Sequence, residues 1–360
     1  VITTKNSPES IAAYLAALEK EIQAAILQYG RLRFDTLYLG GGTPSALPIE
    51  AMSRLTELLR REFHFKGVCE MTCEVNPGDT DAKTLKGYHS LGINRISVGA
   101  QSFNDALLKD MGRLHTAQDI VQSVSEAKAA GFENVSLDLI IRLPGQTLED
   151  VSRSLQQAVE LDVDQVAVFD LDLAERTVYG MRRQRGELRQ PDEELHHAMM
   201  QLAEDYLESQ GYRHYELTSF AKPGFESHHN LIYWHNQEYL GLGPGAFSYL
   251  KGLRYQFAQD VNRYLEKCGA GNWTRDVEDR LSEEEKEMET FLTGLRLQDG
   301  VDLSAFKRIG RQLSAKIKLL EMDGFFEHDN GRLTLSRKGR FVSDHVFAEL
   351  AGSVMPSANK

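Results

Sequence analysis

The sequence predicts an α/β protein, a partial (βα)6 barrel of the TIM type that lacks its first strand, followed by a small winged-helix-like α+β domain. Three observations carry that expectation. Apolar runs at 34–39, 68–75, 94–99, 134–141 and 165–172 alternate with amphipathic helical stretches, the pattern of a parallel sheet covered by helices. The chain opens on a helix rather than a strand, which leaves the barrel one strand short at its start. Near Leu281 the composition shifts to a glutamate-rich helix, two short helices around 302–322 and a hairpin turning at Asn330-Gly331.

Taken in order, Ser7 and Pro8 start the first helix and Gly30 closes it. Between them Ile11, Leu15, Leu18, Ile22 and Ile26 recur at helical spacing and mark one buried face. Strand 34–39 runs into Gly40-Gly41-Gly42-Thr43-Pro44, where three residues without a Cβ leave backbone N–H and C=O groups bare to a ligand. A helix from Pro48 to about Phe63 follows, then helices at 80–91, 104–110, 116–130 and 147–161 between the remaining strands. Helix 191–210 and a strand at 212–220 extend this core. The expected division is a barrel over 1–220, a loop-rich extension over 221–280 and the small domain over 281–360.

A net charge of −12 argues against broad binding to nucleic acid or anionic membranes. In the small domain acidic and basic residues nearly balance, so packing or partner docking is favoured over DNA binding. No apolar run is long enough to span a bilayer. Only three cysteines are present, too few for a disulfide framework and in keeping with a reducing cytoplasm. Homodimerisation is left open.

The strands end in polar residues where apolar continuation is expected. Glu74 closes strand 68–75, Gln101 follows strand 94–99, and Asp138 interrupts the apolar run Leu137-Asp138-Leu139. An unpaired buried carboxylate costs several kcal/mol, so Asp138 needs a cation, a hydrogen-bond network or a polar ligand. Arg113, in Gly112-Arg113-Leu114-His115, is the cation expected for it. Together with Gly41, Gly42 and Thr43 the set suits a ligand that carries an amino acid and a ribose.

These motifs, in this order, resemble the radical S-adenosylmethionine family that contains oxygen-independent coproporphyrinogen oxidase. The resemblance rests on Gly40 to Pro44, Glu74 in Glu-Val-Asn-Pro-Gly, Gln101 in Gln-Ser-Phe, Arg113, and Asp138 followed by Leu143-Pro144-Gly145-Gln146-Thr147. Beyond the barrel, Tyr215-Glu216, Phe220 to Gly224, His229-Asn230-Leu231-Ile232-Tyr233-Trp234 and Gly294-Leu295-Arg296-Leu297 are similar to its haem chaperone branch. The resemblance implies that Gly41, Gly42 and Thr43 contact the methionine part of S-adenosylmethionine, with Glu74, Gln101, Arg113 and Asp138 completing the pocket. It also implies haem binding at His229, as iron ligand or attachment point, with Asn230, Tyr233 and Trp234 beside it.

The family's Cys-x3-Cys-x2-Cys triad, which holds a [4Fe–4S] cluster, is not found here. Cys69 and Cys73 have the first spacing, but Asn76 stands at the third position, and both alternate onto one face of a later strand as small core residues. The cluster cysteines and the first strand are therefore expected upstream of Val1. Arg142 stands where the family more often has glycine, and Ala174-Glu175 replaces its usual Glu-Pro. The leading expectation is a haem chaperone that delivers haem to acceptor haemoproteins. The alternatives are a coproporphyrinogen III oxidase, a barrel enzyme using Gly40 to Gly42 as a phosphate cradle, and a DNA-binding regulator built on the small domain.

Overall fold

The computed structural model describes residues 7–173 and 177–354, so Ala174-Glu175 lies outside the described residues. The first half alternates as expected: α1 (Pro8–Tyr29), β1 (Arg33–Leu39), α2 (Ile49–Glu62), β2 (His64–Val75), α3 (Ala82–Ser90), β3 (Arg95–Gln101), α4 (Asp105–Asp110), α5 (Ala117–Ala129), β4 (Val135–Ile141), α6 (Leu148–Glu160) and β5 (Gln165–Asp170). Then come α7 (Val178–Gln184), which the periodicity did not suggest, α8 (Glu193–Ser209), β6 (Arg213–Glu216) and β7 (Ser219–Ala221). The rest of the chain forms α9 (His228–Trp234), β8 (Phe247–Leu250), β9 (Leu253–Gln256), α10 (Val261–Ala270), β10 (Val277–Arg280), α11 (Glu283–Gly294), α12 (Gly310–Met322), β11 (Phe326–Asp329), β12 (Arg332–Leu335), α13 (Arg337–Phe341) and α14 (Ser343–Val354). Among the described residues no helix is long and apolar enough to cross a membrane.

Helix starts are set by side chains that take the first orphan N–H groups. Thr116 with Asp119, Thr147 with Asp150 and Ser282 with Glu285 form reciprocal capping boxes. Ser7 caps α1, and Gly30 ends it at φ 78°, a conformation open to glycine.

The large sheet has the order β1-β2-β3-β4-β5-β7-β6, parallel from β1 to β5. Two sequence expectations change here. The single strand over 212–220 is a hairpin, with Leu217 and Thr218 at its turn, and β7 runs antiparallel to β5. The extension over 221–280 is not loop-rich: β8, β9 and β10 form an antiparallel sheet, with α9 before it in sequence and α10 between β9 and β10. Its turns are dense in glycine, and at Gly241 space demands it. A Cβ on Gly241 would lie 2.0 Å from the Phe247 carbonyl oxygen.

The chain forms two compact units. One holds residues 1–214, 218–226 and 261–273; the other holds 215–217, 227–260 and 274–360. The first is built on buried strand residues such as Ile96, Val98, Leu137 and Val166. The second closes on its own core, with Phe291, Leu313, Leu333 and Leu350 at its centre. Asn330 and Gly331, both at positive φ, make the predicted turn between β11 and β12.

Candidate functional site

The polar groups singled out at the strand ends meet in one cavity. Gly42, Thr43, Glu74, Gln101, Arg113 and Asp138 line a volume of about 210 Å³ at the carboxyl ends of the strands, together with Ser97 and Asn76. Gly41 takes part through its backbone, since its N–H donates to Glu74 Oε2 at 3.3 Å. Gly41 sits at φ 82°, and a Cβ on Gly42 would meet nothing within 4 Å, so this backbone faces open space. Gly40 differs: a Cβ there would lie 2.7 Å from the Tyr38 ring and 2.9 Å from the Glu74 carboxyl. Tyr38 holds that carboxylate from the other side, its hydroxyl donating to Glu74 Oε1 at 3.0 Å. Burial first, and then Glu74, push the Tyr38 hydroxyl well above the usual range, so it stays protonated and keeps donating.

Gln101 reaches the cavity through a backbone irregularity. The β3–β4 register shifts between Val98 and Gln101, and Gln101 lies at φ 66°, unusual for a residue with a side chain. A bulge at a strand end re-aims one side chain, here into the cavity. Glycine at 99 leaves room for it, since a Cβ there would lie 2.9 Å from the Gln101 side-chain nitrogen. His115 anchors the neighbouring loop, its Nε2 lying 3.2 Å from the Ala100 carbonyl oxygen.

Asp138 requires a correction. Among the described residues Arg113 makes no ion pair with it. The Ser97 hydroxyl lies 3.3 Å from each Asp138 carboxylate oxygen, and the cation acting on Asp138 is buried Arg95, which donates to Gln165 Oε1 at 3.0 Å. Alternation explains this, since a residue within the sheet can face Asp138 from a neighbouring strand whereas Arg113 lies on a loop beyond the strand ends. Burial pushes the Asp138 carboxyl up to about 6, against the pull of Arg95. The Arg113 guanidinium is half-buried at the cavity wall, and burial holds its pKa below the usual value. Among the described residues it has no hydrogen bond or ion pair.

A second lobe of about 460 Å³ shares Gln101, Arg113 and Asp138 with the first. Apolar Met111, Ile140 and Phe169 line it beside Asp170 and Tyr179. Asp170 Oδ1 lies 2.7 Å from Nε2 of buried His196, and the Tyr179 hydroxyl donates to Asp110 at 3.0 Å. Sequence reading missed Tyr38, Arg95, Ser97 and the Asp170–His196 pair. The polar Arg95 and Ser97 within a core strand were the available signal.

The other unit carries His229, Asn230, Tyr233 and Trp234 together on α9, whose residues are all half-buried or exposed. Ser227 caps this helix by accepting from the Asn230 N–H at 3.3 Å. His229 Nε2 lies 2.9 Å from the Tyr233 hydroxyl, and their rings meet edge-on at 5.0 Å. One face of Trp234 is covered by the Arg296 guanidinium at 4.2 Å, itself 3.8 Å from the Glu216 carboxylate. Thus Tyr215-Glu216 and Gly294 to Leu297, separate in sequence, come together through Glu216 and Arg296 at Trp234.

A curled parallel sheet with a ring of polar groups at its strand ends is the architecture of the radical SAM superfamily, whose profile matches residues 13–158. The profile of the HemN C-terminal domain matches residues 281–342. The heme chaperone HemW of Lactococcus lactis subsp. lactis is 38% identical over 350 residues, which cover 94% of this chain and 89% of the relative. That of Bacillus subtilis is 34% identical over 353 residues, covering 96% and 93%. A Bos taurus relative named radical S-adenosyl methionine domain-containing protein 1, mitochondrial, is 31% identical, covering 94% and 80%. The chain belongs to the HemW family of radical SAM proteins. Its fold is also that of HemN, the Escherichia coli coproporphyrinogen III oxidase, with a TM-score of 0.82 at 24% identity over 96% of this chain and 84% of that one.

The superfamily implies S-adenosylmethionine and a [4Fe–4S] cluster, and the residues present answer differently for each. Cys69, Cys73 and Cys268 are all buried and free, two on β2 and one on α10. Burial pushes the Cys69 and Cys268 thiols up to about 11 and the Cys73 thiol to about 12, the reverse of what thiolate ligands need. These three do not fit a cluster. The barrel mouth does fit S-adenosylmethionine. Two carboxylates match its sulfonium, ammonium and ribose hydroxyls, a partnerless guanidinium matches its carboxylate, and glycine backbone leaves room beside them.

Proposed function

We propose that this protein binds haem through His229 and passes it to acceptor haemoproteins, with S-adenosylmethionine held in the barrel mouth. The observation that carries the haem reading is a half-buried imidazole set edge-on to the Tyr233 ring on a helix with no buried residue, in a chain whose relatives are named heme chaperones. Imidazole is a natural axial ligand for haem iron, and the neighbouring rings suit a flat macrocycle. In the barrel mouth Arg113 would clamp the amino-acid carboxylate, Glu74 and Asp138 would take cationic and hydroxyl groups, and Gly41 to Thr43 would lie along the methionine part. S-adenosylmethionine supplies a sulfonium centre there; the residues supply its orientation. Three free buried thiols suit a reducing cytoplasm as the site of action.

The test is hemin titration of the full chain alongside an assay on coproporphyrinogen III. Stoichiometric hemin binding that His229→Ala weakens at least tenfold, with no conversion of coproporphyrinogen III, is the expected result. Conversion of the tetrapyrrole to its vinyl product would instead make the protein an oxidase.

A further inference from the structure

We infer that Tyr233 is a latch on His229, holding the one ring nitrogen that points away from the backbone in a hydrogen bond that must open before iron can bind it. The inference rests on the haem reading above and adds a regulatory part to that site. His229 and Tyr233 stand four residues apart on α9, where side chains share a face. Their 2.9 Å contact occupies Nε2 whichever ring tautomer is present. If Nδ1 carries the proton, the Nε2 lone pair accepts the phenol O–H; if Nε2 carries it, that nitrogen has no lone pair to give.

The phenol is itself held in place. Its ring meets Tyr239 edge-on at 4.7 Å, and Tyr239 is tied to Tyr249 by a reciprocal pair of backbone bonds of 2.9 Å. Arg254 backs Tyr239 and is fixed by Glu289 through bonds of 2.6 and 2.8 Å. A phenol is ordinarily protonated at neutral pH, so the Tyr233 hydroxyl can serve as a proton donor there. The contact is therefore a supported hydrogen bond that iron must displace. Breaking it lowers affinity by about three- to tenfold, the usual value of such a bond.

Tyr233→Phe keeps the ring and its packing on Tyr239 but removes the hydroxyl. Two readouts on the full chain test the latch: the rate at which diethyl pyrocarbonate modifies His229, followed by peptide mass spectrometry, and the hemin dissociation constant from the Soret band. The latch predicts several-fold faster modification in Tyr233→Phe and about three- to tenfold tighter hemin binding, a gain that vanishes when His229→Ala is added. Unchanged modification, or weaker hemin binding, overturns it, the latter showing that the hydroxyl supports ligation. If modification accelerates while His229→Ala binds hemin as the wild type does, the haem reading falls and the hydrogen bond on Nε2 stands.

Discussion

The barrel mouth and α9 place functional groups by opposite means. In the barrel mouth Glu74, Gln101, Arg113 and Asp138 come from four separate stretches, and they meet because parallel strands deliver their carboxyl ends to one rim. On α9, His229, Tyr233 and Trp234 lie within two turns of one short helix with no buried residue. A dispersed site inherits the rigidity of the sheet. A local site depends on its lateral contacts, here Tyr239 and Arg296. Substitutions at the first should therefore act on ligand affinity with the sheet intact, whereas at the second they act on how one helix presents its side chains.

The largest effect expected at the barrel mouth is from Arg113→Ala. A charge-assisted clamp contributes about 1.5–3 kcal/mol, so S-adenosylmethionine should bind about 10- to 100-fold more weakly by calorimetry, with the far-UV spectrum unchanged. Loss of hemin binding in the same variant would break the comparison.

The next effect comes from pH. Asp138 ionises near 6 in the folded protein, and only its charged form attracts a cationic ligand. Affinity should fall about tenfold between pH 7 and pH 5 and flatten in Asp138→Asn. A profile that Asp138→Asn leaves unchanged would assign the titration elsewhere.

The same carboxyl has a stability signature of the opposite sense. Because its folded value of about 6 lies above the ordinary 3.8, the stability linked to it is present below 3.8 and lost as pH rises through 6. In urea unfolding the wild type should gain about 2–3 kcal/mol on Asp138→Asn as pH falls from 7 to 4. A constant difference between the two would show that the carboxyl is not perturbed. The smallest effect concerns Arg142, at φ 64° with an exposed partner in Glu193. Glycine relieves the left-handed strain, so Arg142→Gly should stabilise by about 0.5–1 kcal/mol, read as a higher unfolding midpoint.

Much of this is legible in the sequence. Strand runs, the Ser7 and Gly30 ends of α1, the Asn330-Gly331 turn and the polar strand ends all follow from local chemistry that a residue carries with it. What was not legible depends on neighbours in space. Arg95 rather than Arg113 answers Asp138 because pairing between strands decides which side chains face one another. The β3 bulge that aims Gln101 shows only as a glycine in a strand. The hairpin of β6 and β7 reads as one strand because its turn, Leu217-Thr218, has no turn-forming residue. Arg142 is the reverse case, since the family's glycine preference becomes intelligible once its positive φ is seen.

The most direct test compares S-adenosylmethionine with S-adenosylhomocysteine by calorimetry at neutral pH, since the two differ in the sulfonium charge and its methyl group. If the sulfonium is held by Glu74 and Asp138 as proposed, it should bind at least about tenfold more tightly, and Asp138→Asn should erase most of that preference. Equal affinities, or a preference that survives Asp138→Asn and Glu74→Gln alike, would contradict the claim that these strand-end carboxylates form a cationic-nucleoside site.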